Sequence, residues 1–320
     1  MVESLEIAFG PVPSRRLGRS LGVNNIPPKL CSYSCIYCQL GRTLSYSTER
    51  KPFYDPEVLI DSVSKKVKEV ESRGERIDYI TFVPDGEPTL DANLGREIDG
   101  IKETGIKTAV ISNSSLISLE DVRNDLFESD WVSLKVDEVG PEKWVKINRP
   151  RGNIKLDKIL DGFRIFSAEY RGYLATETML VKGIQDERSI IKISEFIKSA
   201  KSVKKSYLSV PTRPPAETWV LPPDENFINA AFQIFSETVG SENVEYLIGY
   251  EGDEFSVTGN VLDNILDITS VHPMRKEAIE KALDENGYEW DEFEKLVQEK
   301  KIVELKYQNE TYFMRKIQTR

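Results

Sequence analysis

The sequence predicts an α/β fold with at least six parallel β/α repeats, followed by a small domain of another type. Between residues 20 and 248, short β-branched runs alternate with longer segments whose apolar residues recur at helical spacing. This alternation is typical of parallel β/α architectures. Beyond residue 255 the pattern changes to three helices and a hairpin. We therefore predict domains at 1–255 and 256–320, and the strand count leaves open whether a barrel closes.

The predicted elements follow in regular order. Ser20–Asn25 is the first strand, and it ends at Pro27 and Pro28 because proline lacks the N–H group that a strand ladder needs. Helical spacing of apolar residues, with Gly74 as a stop signal, predicts a helix over 55–74. Further strands are predicted at 77–83, 107–112, 131–137, 172–181, 206–210 and 244–248. Further helices are predicted at 94–104, 142–147, 156–168, 189–200 and 227–235.

All three cysteines, Cys31, Cys35 and Cys38, lie within eight residues. The C-x3-C-x2-C spacing can reach three corners of a cubic iron–sulfur cluster and leaves the fourth iron without a protein ligand. A closed cluster or zinc site needs another donor, and the single histidine, His272, is distant and is predicted to be structural, at a helix start. An odd number of cysteines and no sign of export disfavour disulfides. A zinc site completed by a partner chain is the alternative.

This motif, with Tyr37 before its last cysteine, resembles the signature of the radical S-adenosylmethionine (SAM) superfamily. The flanking segments 9–18 and 39–43 resemble the branch that contains the tRNA 4-demethylwyosine synthases and many uncharacterised iron–sulfur oxidoreductases. The resemblance implies a partial (β/α)6 TIM-like barrel, a [4Fe–4S] cluster on the three cysteines and SAM chelated at the open iron. Archaeal-type 4-demethylwyosine synthases carry additional cysteines for a second cluster. This chain has none, which puts the same reaction in doubt.

The resemblance also implies a set of cofactor-binding residues. Gly86 and Glu87 match a "GEP" motif after a predicted strand and are expected to hold the SAM ammonium group, although Asp85 replaces the more usual glycine. Asn113 resembles the position at the end of the fourth strand that lies near SAM in the superfamily, and an Asx turn is its alternative role. The complete predicted set is Tyr37, Gly86, Glu87, Asn113, Gly183 and Ile184.

Charged residues supply the catalytic and substrate-binding candidates. Lys135 and Asp137 are two positions apart on one strand, so their side chains share a face. If that face lines the barrel interior, both side chains point towards the substrate cavity and are catalytic candidates. A structural ion pair is the alternative. Residues 1–50 carry six basic side chains against three glutamates, although the whole chain has a net charge of −10. This local excess favours an anionic substrate, with pairing to carboxylates or to the cluster as the alternative. The substrate-binding candidates are Arg15, Arg16, Arg149 and Arg213.

The C-terminal segment predicts a winged-helix-like domain, from three helices (261–267, 274–285 and 291–299) and a hairpin. Residues 259–320 carry ten basic and thirteen acidic side chains, which disfavours DNA binding and favours protein docking or substrate positioning. Because no apolar run approaches the roughly 20 residues that cross a bilayer, and no signal peptide begins the chain, we expect a cytoplasmic protein.

Together with the cysteine spacing, the resemblance implies an enzyme that reductively cleaves SAM to a 5′-deoxyadenosyl radical, which abstracts hydrogen from a substrate. The substrate candidates are an RNA base, by the resemblance, or a protein, peptide or small metabolite. A low-potential electron donor, ferredoxin or flavodoxin, is implied as a partner. The alternative of another class is a non-catalytic iron–sulfur electron carrier or redox sensor, which would gain nothing from the SAM-binding loop around Gly86.

Overall fold

The computed structural model describes residues 6–248 and 260–316. The domain boundary predicted after residue 255 lies outside the described residues. The strands are β1 (Ala8–Ser14), β2 (Gly18–Val23), β3 (Leu30–Cys31), β4 (Ser45–Tyr46), β5 (Tyr79–Phe82), β6 (Lys107–Ser112), β7 (Trp131–Lys135), β8 (Tyr173–Met179), β9 (Val203–Ser209), β10 (Val244–Leu247), β11 (Met274–Arg275), β12 (Ile302–Tyr307) and β13 (Glu310–Arg315). The helices are α1 (Pro56–Ser72), α2 (Leu94–Ile101), α3 (Glu120–Phe127), α4 (Pro141–Asn148), α5 (Leu156–Glu169), α6 (Glu187–Ser199), α7 (Glu225–Val239), α8 (Val261–Val271), α9 (Lys276–Glu285) and α10 (Trp290–Gln298).

One sheet of eight strands, in the order β1-β2-β5-β6-β7-β8-β9-β10, organises the first part of the chain. All neighbours from β2 to β10 are parallel, and β1 is antiparallel to β2. Since β1 and β10 stand at opposite ends of this order, the described strands form a curled, open sheet. The predicted α/β fold with a partial barrel is confirmed.

The helices pack their apolar faces on this sheet. In α1, Leu59, Val63, Val67 and Val70 are buried, and the side chain of Asp55 caps the helix by accepting a hydrogen bond from the Glu57 backbone N–H. The strands carry buried apolar side chains on both faces. This is expected of a parallel sheet, in which helices cover one face and side chains fill the interior at the other. The chain therefore presents its polar loops at the carboxyl ends of the parallel strands.

The C-terminal part forms a smaller unit with its own core. It contains α8 to α10 and a three-stranded sheet in the order β11-β13-β12. The hairpin and the three helices were predicted, and β11 was not. This unit packs on the barrel through α8 and β1, and Tyr312 Oη donates to the carbonyl of Thr212 at 2.9 Å. None of the helices in the described ranges has the length and apolar character needed to cross a membrane.

Candidate active site at the cysteine motif

The cysteine segment lies at the carboxyl ends of the parallel strands, between β2 and α1. Backbone hydrogen bonds hold it in place: the Ser34 N–H donates to the Asn148 carbonyl at 3.1 Å, and the Ile36 N–H donates to the Ile147 carbonyl at 3.0 Å. On its other side the Glu217 N–H donates to the Ile36 carbonyl at 3.1 Å. The three cysteines are thus presented by a loop that is fixed along its length.

The Gly86 loop packs directly on this segment. A side chain on Gly86 would lie 1.9 Å from the Leu30 carbonyl oxygen, so only glycine fits there. The Glu87 carboxylate is buried and accepts hydrogen bonds from the Thr89 hydroxyl at 2.6 Å and the Asn113 N–H at 2.7 Å. Burial raises the pKa of Glu87, and these hydrogen bonds oppose the rise. Glu87 therefore joins the loops after β5 and β6, and its carboxylate is already bonded within the protein.

A cavity of about 300 Å³ opens beside Tyr37 and Cys38, on the inner face of the sheet. Its charged floor is formed by Lys135 on β7 and Glu177 on β8, whose Nζ and Oε1 atoms lie 2.9 Å apart. Arg16 forms a second ion pair with Glu177. Burial favours the neutral form of Glu177, but the Lys135 ammonium and the Arg16 guanidinium lower its pKa from 4.5 to about 2.

The match to known families decides the class of this site. The family model described as "Radical SAM superfamily" matches residues 25–196, more than half of the 320 residues. The chain belongs to the radical SAM superfamily. It is a radical SAM enzyme, and its cofactors are a [4Fe–4S] cluster and SAM.

One relative by sequence and two solved structures are similar to this chain. The "UPF0026 protein MJ1312" of Methanocaldococcus jannaschii is 47% identical over 317 residues, which cover 99% of this chain and 98% of the relative. A radical SAM methyltransferase from Sphaerobacter thermophilus has a TM-score of 0.52 at 13% identity, over 72% of this chain and 67% of that chain. A structure of TYW1 with a lysine–pyruvate adduct bound has a TM-score of 0.48 at 17% identity, over 68% of this chain and 73% of that chain.

The surroundings of the cysteines fit an iron–sulfur cluster. Asn113 Nδ2 lies 3.4 Å from Cys31 Sγ, and Asn148 Nδ2 lies 3.5 Å from Cys35 Sγ. Amide donors of this kind stabilise the negative charge of cluster sulfurs. Burial and the nearby carboxylate of Asp137 raise the pKa of Cys35 to about 12, and a bound metal ion would favour its thiolate form. In the described ranges, no three Cys, His, Asp or Glu side chains, the three cysteines included, converge on the position of one metal ion. The zinc site completed by a partner chain stays a prediction.

The two predicted catalytic residues have different positions. Lys135 lines the cavity, and its ammonium lies 5.1 Å from the centre of the Tyr37 ring. Because β7 ends at Lys135, Asp137 does not share its face and lies beneath the cysteine loop. There it accepts hydrogen bonds from the Tyr37 hydroxyl and from Asn148 Nδ2. An ion pair involving Lys135 does exist, but its partner is Glu177, which the sequence analysis missed.

The four predicted substrate-binding arginines do not all lie at the cavity. Arg15, Arg16 and Arg213 line the cavity, whereas Arg149 forms an ion pair with Glu217 at 2.5 Å and is not among the lining residues. Arg15 donates to the backbone carbonyl of Tyr246 within β10 and to that of Ile248, which follows it. Arg213 Nη1 donates to Gln39 Oε1 at 2.9 Å, which connects the cavity wall to the residue after Cys38.

His272 is the second site residue that the sequence analysis missed. The prediction of a helix start at His272 is wrong, because α8 extends to Val271 and His272 caps its end. Its Nε2 lies 3.0 Å from Arg213 Nη2, and Val271 and His272 both line the cavity. The C-terminal unit therefore supplies part of the cavity wall of the radical SAM core.

Gly183 and Ile184, two of the predicted cofactor-binding residues, follow β8. Ile184 is buried against Ile36 and Tyr37 of the cysteine loop, and Gly183 is exposed with a φ of 73°. Neither lines the cavity. Their contact with SAM stays a prediction.

Proposed function

We propose that this radical SAM enzyme binds its cluster through Cys31, Cys35 and Cys38 and acts on a substrate held in the barrel cavity. When bound, the cluster and SAM supply a 5′-deoxyadenosyl radical that abstracts a hydrogen atom. The observation that carries the proposal is the cavity itself, which borders Tyr37 and Cys38 and is lined by polar side chains from six strands, among them Lys135 on β7 and Glu177 on β8.

The residues of the chain have distinct tasks in this proposal. Asn113 and Asn148 donate hydrogen bonds to cysteine sulfurs and orient the ligands. Lys135 keeps its charge because burial, which lowers its pKa, is outweighed by Glu177 and Asp137, and the net pKa is raised. An ammonium held in this way donates hydrogen bonds to a bound ligand and orients it. Val271 and His272 cover part of the cavity and help to exclude water.

For the substrate we propose a compact group that lies next to an anion. Among the described residues that line the cavity, four carry cationic side chains and one, Glu177, carries a carboxylate. Such an excess attracts negative charge. The cationic side chains are Arg15, Arg16, Lys135 and Arg213. A nucleobase of RNA, which is attached to backbone phosphates, has these properties and is the first candidate. A peptide side chain or a small anionic metabolite is the alternative.

The C-terminal unit is, in this proposal, a winged-helix-like domain that positions the substrate rather than binds DNA. Its acidic excess, thirteen acidic against ten basic side chains in residues 259–320, supports this role. So does the hydrogen bond of 3.3 Å from Gln39 Nε2 to the Val271 carbonyl, which joins it to the cysteine loop. We place the enzyme in the cytoplasm, where thiols stay reduced for cluster assembly.

The test is anaerobic cluster reconstitution, followed by dithionite, SAM and quantification of 5′-deoxyadenosine with and without total cellular tRNA. We expect release from the wild type and none from Cys35→Ala. A rise with tRNA would support an RNA substrate, and a rate that tRNA leaves unchanged would move the search to peptides and metabolites. No release from a wild type whose cluster is spectroscopically present would favour the carrier or sensor instead.

A further inference from the structure

We propose that the surface next to Cys35 is the docking site of an acidic electron-carrier protein. The inference rests on the proposed function, in which each reductive cleavage consumes one electron from outside. We call this surface the carrier face. It consists of the second half of α4, the loop 149–151, the segment 217–221, and the adjoining Arg42 and Lys182.

The carrier face is attached to the cysteine loop by backbone hydrogen bonds. Residues 147 and 148 accept from the loop at 3.0 and 3.1 Å, and the Arg151 N–H donates to the Ser32 carbonyl at 3.0 Å. From the other side, the Glu217 N–H donates to the Ile36 carbonyl at 3.1 Å. The Lys182 N–H joins the same surface by donating to the Leu221 carbonyl at 3.0 Å. A partner on this face would therefore sit directly over the cluster ligands.

The charge of the carrier face is opposite to that of the whole protein. Arg42 and Arg149 both pair with Glu217, at 2.9 and 2.5 Å, so two cations share one carboxylate. The side chain of Arg42 is still 68% exposed. Exposed basic residues extend the surface: Lys146, Arg151 and Lys182. In a chain of net charge −10, such a local basic surface favours an acidic partner and speeds its encounter.

The same face exposes large apolar side chains. Val145, Trp219 and Leu221 are 52%, 50% and 46% exposed. Between Trp219 and Leu221, Val220 is buried with Ile147 and Ile36, so the exposed residues stand on a packed base. Apolar groups surrounded by charged ones, with an exposed tryptophan, are typical of protein-docking surfaces.

The carrier face and the cavity use different sides of the cysteine loop. The lining residues of the cavity include none from 145–151 or 217–221. A carrier can therefore dock while substrate occupies the cavity. The step transfers one electron and no atom: the carrier is oxidised by one electron and the cluster is reduced by one. A nucleic acid on the carrier face would be separated from the cavity by the cysteine loop.

The test measures binding of flavodoxin, an acidic carrier, to the full chain by isothermal titration calorimetry at low and physiological salt. We expect Lys146→Glu combined with Lys182→Glu to weaken binding at least tenfold at low salt and to reduce its salt dependence. Trp219→Ala should weaken binding at both salt concentrations. The matched control is Lys198→Glu, an exposed lysine in the last turn of α6, at the end of the helix away from the carboxyl ends of the strands. It should bind like the wild type.

Activity separates this proposal from the proposed function. With dithionite as reductant, the double variant should release 5′-deoxyadenosine at the wild-type rate, and with reduced flavodoxin it should be slower. Unchanged flavodoxin affinity in the double variant, or an equal loss in Lys198→Glu, would overturn the proposal. So would a double variant that keeps its flavodoxin affinity and loses affinity for total tRNA, since the face would then bind RNA. Failure of the wild type with dithionite would refute the proposed function, whatever the binding result.

Discussion

The buried ion pairs of Glu177 with Lys135 and Arg16 allow a quantitative prediction for Glu177→Gln. A carboxyl whose pKa falls from 4.5 to about 2 on folding contributes about 3 kcal/mol of stability at neutral pH. Removing its charge also leaves Lys135 and Arg16 buried without their anion, and breaking a buried pair in this way costs about 3–5 kcal/mol. We expect Glu177→Gln to lower the free energy of unfolding by about 3 kcal/mol at pH 7, measured by anaerobic urea denaturation at matched cluster content.

The pH dependence and a second variant test the origin of this loss. Since the folded pKa of Glu177 is depressed, its contribution is complete above pH 4.5 and disappears as the pH falls through about 2. The difference between wild type and Glu177→Gln should therefore be constant from pH 8 to pH 5 and should shrink in acid. Adding Lys135→Met should recover part of the loss, because one unpaired cation is removed. The reasoning is refuted if Glu177→Gln costs less than about 1 kcal/mol, or if the two substitutions are additive.

Three further predictions follow from single contacts. Gly86→Ala forces the Leu30 carbonyl to move, so it should lower stability by about 1–3 kcal/mol and reduce iron content; a variant with wild-type iron and thermal midpoint would contradict this. Asn113→Ala removes an N–H donor from Cys31 Sγ, so the cluster potential in an EPR-monitored titration should become more negative, and an unchanged potential would count against the contact. Burial and a neighbouring carboxyl raise the pKa of Glu97 in the folded protein. Ionisation of Glu97 in the unfolded chain therefore opposes folding as the pH rises above 4.5. Glu97→Gln should be increasingly more stable than the wild type in urea titrations from pH 5 to 8. A stability difference that does not grow with pH would show that Glu97 is ionised in the fold.

The parallel core could be predicted from the sequence because its strands and helices are indicated by local residue patterns. The strand predicted at 107–112 coincides with β6, and the cysteine spacing alone indicates a cluster. Strand β1 was missed because Pro11 and Pro13 argue against a strand ladder. It exists at the edge of the sheet, where its pairing with β2 is irregular between Phe9 and Val12.

The composition of the site depended on strand register and on domain packing, which a single sequence does not display. Glu177 meets Lys135 because the two residues are paired across β8 and β7. The only local signal was a charged residue within an otherwise mostly apolar and hydroxyl-bearing strand. His272 reaches Arg213 because the C-terminal unit packs over the barrel, and no periodicity in the sequence indicates that contact.

The hydrogen bonds of Glu87 connect three loops that are distant from one another in the sequence. Its carboxylate accepts from the Ser112 hydroxyl and from the Asn113 N–H, both at 2.7 Å, and its own N–H donates to the Leu30 carbonyl at 3.2 Å. The loops after β2, β5 and β6 are therefore positioned as one unit. A substitution of Glu87 would shift the Asn113 amide relative to Cys31 Sγ, which it approaches to 3.4 Å, and so would alter the cysteine site without replacing a cysteine.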